Sequence, residues 1–239
     1  MTDLRITAPV RDTTIDLLDD LGALQPNFTP ADGPFDEAHG WKVDDHCCPL
    51  PDEAPGPPAP DGPFAVARNV LRDYAMADPR IIRAVYDPTE PLHGRTMALE
   101  GRFTFLRFPM GVRITHVVDD VIEVDGRRVA RWGWGYSTLE GHLEQGRMDW
   151  EVWKWLDTGD VEFRIHAFSK RGRIENPIIR LGFALFGRFM QERFYDAVQR
   201  RMRVIVERRT GRTTMRATCH TSGERPVLGT LMGSSSPRG

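Results

Sequence analysis

From Thr96 to Ser169 apolar and polar residues alternate with a period of two. Thr96–Phe108 sets Met97, Leu99, Phe103 and Phe105 on one face, and Val112–Val118 alternates Val112, Ile114, His116 and Val118 with Arg113 and Thr115. Arg128–Thr138 aligns Ala130, Trp132, Trp134 and Tyr136, and the segments Arg147–Leu156 and Asp160–Ser169 continue the pattern. Such alternation predicts strands of a sheet with one buried face. Pro109-Met-Gly, Asp125-Gly126 and Asp157-Thr-Gly-Asp are hairpin signals, so five strands form an antiparallel meander. Before it, Phe64–Met76 has helical spacing, and Asp78-Pro79 supplies an N-cap and an N1 proline for a second short helix through Val85. After Asn176-Pro177 the period becomes 3.6, and one helix runs to about Arg209, roughly 50 Å at ~1.5 Å per residue. Its main apolar stripe includes Phe186, Met190, Phe194, Val198 and Met202, and a second stripe of Ile178, Leu181, Leu185 and Phe189 predicts burial on two sides. The expected architecture is α+β, a helix-grip: a curved antiparallel sheet wrapped on a long C-terminal helix, with two short helices before the sheet. A sheet that grips a helix leaves a cavity suited to apolar ligands.

The flanks differ from this body. Residues 1–63 hold eleven of the 18 prolines and read as an acidic, proline-rich arm with a short helix at Thr14–Leu21; residues 64–209 form the domain, and 210–239 a flexible tail. The formal charge of −2 in 239 residues, taken alone, argues against a dedicated nucleic-acid binder. It is a cancellation, with −10 in residues 1–63, +1 in 64–187 and +7 in 188–239, which predicts that the arm lies at least partly against the arginine-rich helix end. The start MTDLRITAPV has no signal-peptide pattern and no run reaches a membrane span, so a cytoplasmic location is expected. Three cysteines are too few for a disulfide framework, and free thiols are expected. His46-Cys47-Cys48 with Cys219-His220 match no zinc module, so no metal is assigned. No phosphate loop or nucleophile elbow is present, and no cofactor is implied.

Strand phase identifies polar side chains that share the apolar face. Tyr136 and Thr138 are in register with Trp132 and Trp134, Ser169 with Ile165 and Ala167, and His116 with Ile114 and Val118. Lys154 is expected to extend its ammonium outward at a strand end. A few polar groups in an apolar cavity orient a ligand; equally, they satisfy one another in a plain core. The segment from Gly133 to Gly146 leaves a strand for a loop carrying Glu140, His142 and Glu144. A histidine beside carboxylates is a candidate general base, and its plain alternative is a hairpin whose histidine caps backbone groups.

Gly135-Tyr-Ser-Thr-Leu-Glu-Gly-His-Leu-Glu-Gln-Gly146 resembles the Tyr-x-Thr-Leu-x-Gly-His-x-Glu-x-Gly signature of the family catalogued as domain of unknown function nineteen-ninety. Ala167-Phe-Ser169 and the helix with Gln191-Glu-Arg-Phe194 resemble it as well, over roughly Asn69 to Val206. That family is similar to the birch-pollen-allergen and START-like helix-grip superfamily. The resemblance implies a fold and a site but no reaction, and it carries over Tyr136, Thr138, Gly141, His142, Glu144 and Ser169. The chain departs from the pattern with Lys170-Arg171 after the serine, where Arg and Pro are expected, and with Trp150 where Phe is frequent.

The leading expectation is a protein that binds a small apolar or amphipathic molecule between sheet and helix, through Tyr136, Thr138, Gly141, His142, Ser169, His116 and Phe186. The alternative is a cyclase- or hydrolase-like enzyme using Tyr136, His142 and Glu144. A further alternative is an interaction protein using the arginine-rich helix end.

Overall fold

A computed structural model describes residues 13–103, 106–172 and 177–220. After helix α1 (Thr13–Ala23) and two short 3-10 turns come strand β1 (Lys42–Pro49), helix α2 (Pro63–Arg72) and strand β2 (Ile82–Val85). Strands β3 (Thr96–Phe103), β4 (Leu106–Val124), β5 (Arg127–Thr138), β6 (Glu144–Trp155) and β7 (Val161–Arg171) follow, and then helix α3 (Pro177–Thr210). The seven strands form one antiparallel sheet in the order β1-β7-β6-β5-β4-β3-β2. The fold is the helix-grip read from the sequence, with α2 and α3 against one face of the sheet.

The alternating residues explain the core. Trp132, Trp134, Trp150, Val152, Phe163 and Ile165 all project from that inner face and meet Phe194, Val198 and Met202 of α3. Asp125 and Gly126 both have positive φ, as a two-residue hairpin turn requires. Phe189, on the second helix stripe, is 59% exposed, so at that turn α3 presents only one stripe to the sheet. Ile178, Leu181, Leu185 and Phe186 have side chains outside the described residues, as does the segment after His220.

Several expectations change. The proline-rich arm contributes edge strand β1, whose pairing with β7 runs from Lys42 opposite Ser169 to Pro49 opposite Glu162. Asp78 does accept from the backbone of Arg80, and its carbonyl accepts from Ile81 and Ile82, but this makes one turn rather than a helix. The chain then enters β2, where the β-branched Ile82 and Val85 favour extension. Pro109-Met-Gly is no hairpin: β4 runs straight through it, with Pro109 opposite Glu100. Proline is tolerated there because the β4–β5 ladder begins only at Val112, so no sheet hydrogen bond is lost on that side.

Lys154 does not reach outward. It is 1% exposed, and its Nζ donates to Glu53 Oε2 at 2.7 Å and to the Pro57 carbonyl at 3.0 Å. Glu53 also accepts from the backbone of Ala59 and of Phe64. The carboxylate thus caps α2, whose own N-cap is Gly62 with no side chain to offer.

The cysteine expectation is also corrected. Cys47 and Cys219, 172 residues apart, form a disulfide, and Cys48 alone is a free, buried thiol. Strand alternation explains the choice, since Cys47 points to the outer face of the sheet while Cys48 points inward to α3.

The outer face is covered at both ends. At one end Phe28, Phe35 and Trp41 of the arm pack on Phe168. At the other, residues 211–220 return from α3 to Trp155 and Glu162. The arm also meets α3 as expected, through Asp44 with Arg188 and the Pro49 carbonyl with Arg203, and Asp52 meets Arg216 beyond the end of the helix.

Candidate functional site

Thr138, at the end of β5, holds the loop from Leu139 to Leu143. Its Oγ1 donates to Asn27 Oδ1 at 2.6 Å and accepts from the Gly146 backbone N–H at 2.9 Å. Asn27 in turn donates to the Glu144 carbonyl, and Gln145 donates to the Asn27 carbonyl. Gly141 has a φ of +82°, a left-handed conformation that turns the loop and suits glycine. The arm residues Gln25–Asn27 therefore lie along the loop, a contact without any sequence signal.

His142 is buried, and its Nδ1 accepts from the Glu144 backbone N–H at 3.0 Å. Burial holds its imidazole neutral, with the pKa pushed down to about 4. This geometry is that of a loop cap. Nδ1 is occupied by the backbone, and the contact runs to the main chain of Glu144 rather than to its carboxylate.

Glu144 lies on the inner side and accepts from Gln191 Nε2 of α3 at 2.7 Å. Burial raises its pKa to about 7, against the lowering effects of the Gln191 hydrogen bond and of Lys42 and Arg188. A carboxyl group in this state exchanges a proton near neutrality. Close by, the Tyr195 hydroxyl donates to Asp44, Asp44 accepts from Arg188, and the His46 ring packs at a tilt against Tyr195.

Tyr136 sits deeper, between Trp134 and Trp150. Its hydroxyl donates only to the Met148 sulfur at 3.4 Å, and burial raises its pKa strongly. The Tyr74 hydroxyl beside it makes no well-formed hydrogen bond, and Trp150 Nε1 and His46 Nε2 lack partners among the described residues. Ser169 is half-buried opposite Lys42 at the sheet edge.

His116 is elsewhere. A bulge between Ile114 and His116 inserts Thr115 and inverts the strand phase, so His116 pairs with Gly135 on the outer face. There His116 Nε2 is 3.0 Å from Asp149 and 2.7 Å from Arg147. Burial alone would raise the Asp149 carboxyl, but His116 and Arg147 outweigh it and hold the carboxyl low. A Cβ on Gly135 would lie 2.0 Å from both His116 and Asp149, so that glycine makes room for the pair.

The structure thus brings Tyr136 and Glu144 to the inner face, with His142 in the adjoining loop and Thr138 at the strand end that anchors it. It removes His116 to the opposite face. Sequence reasoning missed Asn27, His46, Tyr74 and Tyr195, and saw Gln191 only within the helix resemblance. Among the described residues one set of metal-type ligands converges, Cys47, Cys219 and Glu162, and its two sulfurs are joined to each other.

No helix of the described residues is long and apolar enough to cross a membrane. No curated protein matches the chain. Among solved structures it is similar to the Zhui aromatase/cyclase from Streptomyces sp. R1128, at 17% identity over 71% of this chain and 95% of that one, with a TM-score of 0.46. It is similar to Ara h 8.0201 at 8% identity over 70% and 98%, TM-score 0.39. Norcoclaurine synthase from Thalictrum flavum, solved with dopamine and hydroxybenzaldehyde, is similar at 10% identity over 74% and 95%, TM-score 0.36. Residues 29–202 match the family described as Domain of unknown function (DUF1990), and the chain belongs to that family.

Proposed function

We propose that the protein binds a small apolar or amphipathic molecule between the inner face of the sheet and α3. The observation that carries this reading is the surplus of hydrogen-bonding capacity on that face. Trp150 Nε1 and His46 Nε2 are buried without partners among the described residues, and the Tyr136 hydroxyl donates to a thioether, a weak acceptor. Buried polar groups are normally satisfied, and a ligand oxygen or nitrogen would complete this set within walls of Trp134, Trp150 and Phe194.

Titration with 1-anilinonaphthalene-8-sulfonate tests the placement. The expected result is saturable binding of one probe per chain, with energy transfer from tryptophan that falls by more than half in Trp150→Phe. Unsaturable binding, or transfer unchanged in that variant, would count against it.

Catalysis on the same scaffold is favoured by one observation, the buried Glu144 carboxyl poised near neutrality. In that reading Glu144, rather than His142, moves the proton. A retained compound recovered chemically unchanged after prolonged incubation with the protein would leave binding alone.

A further inference from the structure

The sheet has an outer edge whose covering is held by one covalent bond. Residues 211–220 leave α3 and run without regular structure back to β1 and β7. Along this path the side-chain contacts are weak. Arg216 lies 3.4 Å from each of Asp52, Asp160 and Glu162, at a half-buried rim, and Met215 is 84% exposed. At that distance these pairs are longer than the about 2.7–2.9 Å of a strong charge-assisted hydrogen bond. Two further contacts are single hydrogen bonds, the Thr214 N–H to Glu207 Oε1 at 2.9 Å and Arg212 to the Asp52 carbonyl at 3.1 Å. The last residue is the most fully seated: the His220 N–H donates to Glu162 Oε1 at 2.7 Å, its ring lies on Trp155 and meets Asp160, and Arg164 donates to its carbonyl at 2.9 Å. Next to it stands the Cys47–Cys219 disulfide, with both cysteines half-buried rather than enclosed.

We propose that this disulfide is a redox-releasable clasp, and that a thiol reductant frees residues 211–220 from the outer face of the sheet. The chemistry is ordinary exchange. A thiolate of a small dithiol attacks one sulfur, the Cys47–Cys219 bond breaks to give a mixed disulfide and one protein thiolate, and the reagent's second thiol attacks its own first sulfur and displaces the other cysteine. The reagent leaves as a disulfide, and its two electrons and two protons end on Cys47 and Cys219 as thiols. Without the bond, a link closing 172 residues is lost, and the segment keeps only the separate non-covalent contacts of Arg212, Thr214, Arg216 and His220.

Two consequences distinguish a clasp from an inert staple. Glu162 is 0% exposed, because residues 216–220 cover it, and release opens that face to solvent. Cys47 also lies on the edge strand whose alternate residues Asp44 and His46 reach Arg188 and Tyr195 of α3. Loosening the edge strand therefore reaches the polar end of the inner face. Disulfides persist in oxidising surroundings and open in thiol-rich ones, so the poise of the compartment would set the state.

The test uses the full chain, with and without dithiothreitol. In the oxidised protein, peptide mapping should recover a Cys47–Cys219 linked peptide. Hydrogen exchange should be slow in residues 42–49, and trypsin should cut slowly after Arg212 and Arg216. Reduction should speed that cleavage by about tenfold or more, as expected for a segment moved from docked to open. Cys219→Ser should show the fast rate whether or not reductant is present, and it leaves every strand residue intact. Equal cleavage and exchange in the oxidised and reduced protein would overturn the clasp, as would failure to form the linked peptide after treatment with oxidised glutathione.

Discussion

Replacing Glu53 by alanine is expected to lower folding stability by about 3–5 kcal/mol, the usual result of removing one partner from a buried ion pair. For a chain of this size that corresponds to a fall in Tm of about 10 °C. Three losses coincide at this position. Lys154, 1% exposed, would be left with only the Pro57 carbonyl to accept from its Nζ. The N-terminus of α2 would lose the acceptor for Phe64, and the proline-rich loop would lose the acceptor for Ala59. Lys154→Met alone should also destabilise, since it leaves the carboxylate buried. The double variant Glu53→Gln with Lys154→Met should recover part of the loss, because neither charge is then stranded. Thermal and urea unfolding measure all three. A change below about 1 kcal/mol in Glu53→Ala would show that the pair is not the joint between arm and domain.

The second large effect is a crossing of pH dependences in the signature loop. His142 has a folded pKa of about 4, below the ordinary 6.5, so the unfolded chain binds the extra proton between these values. Its contribution is complete above pH 6.5 and is lost as the pH falls toward 4. Glu144 has a folded pKa of about 7, above the ordinary 4.5, so here the folded chain binds the extra proton. Its contribution is complete below pH 4.5 and is lost as the pH rises through 7. Between pH 4.5 and 6.5 the two slopes oppose each other and nearly cancel. Each shift amounts to about 3 kcal/mol at 1.36 kcal/mol per pKa unit. Glu144→Gln should therefore lose stability on acidification from pH 6.5 to 4 more steeply than the unaltered protein. His142→Gln should instead lose stability as the pH rises from 4.5 to 7. Denaturant midpoints collected across pH 4–7.5 give both slopes. Parallel curves for all three proteins would mean that these two groups are not buried as described.

Much of the fold was legible because the sheet buries one face and each of β5, β6 and β7 repeats that face in its alternation. The same logic failed where burial is not one-sided. β1 carries Lys42, Asp44, Asp45 and His46, and its polar residues face α3 on one side and the edge on the other, so no alternation marks it. β2 is four residues long and sits behind a strong helix-start signal that the chain uses for a single turn. His116 went to the wrong face because one inserted residue inverts the phase of a strand, and nothing local in Ile114-Thr-His announces it.

The site divides in the same way. Tyr136, Thr138, His142 and Glu144 lie within one nine-residue stretch, and their density drew attention to it. What each does depends on distant residues. Asn27 turns Thr138 into a loop anchor, Gln191 gives Glu144 its hydrogen bond, and Tyr74 closes on Tyr136. These partners come from the arm, from α3 and from the end of α2. The disulfide lies further still from local signals, because its cysteines approach only after the edge strand and the C-terminal segment have both reached β7.

The central claim is that the inner face, with its unspent donors, is a binding surface. Native mass spectrometry of the full chain, purified without detergent from the cell that makes it, addresses that claim directly. The expected result is a discrete mass increment of one small molecule per chain, extracted by organic solvent and reduced in occupancy in Tyr136→Phe. A bare chain mass in every preparation, together with no occupied state after exposure to total lipid extract, would contradict it.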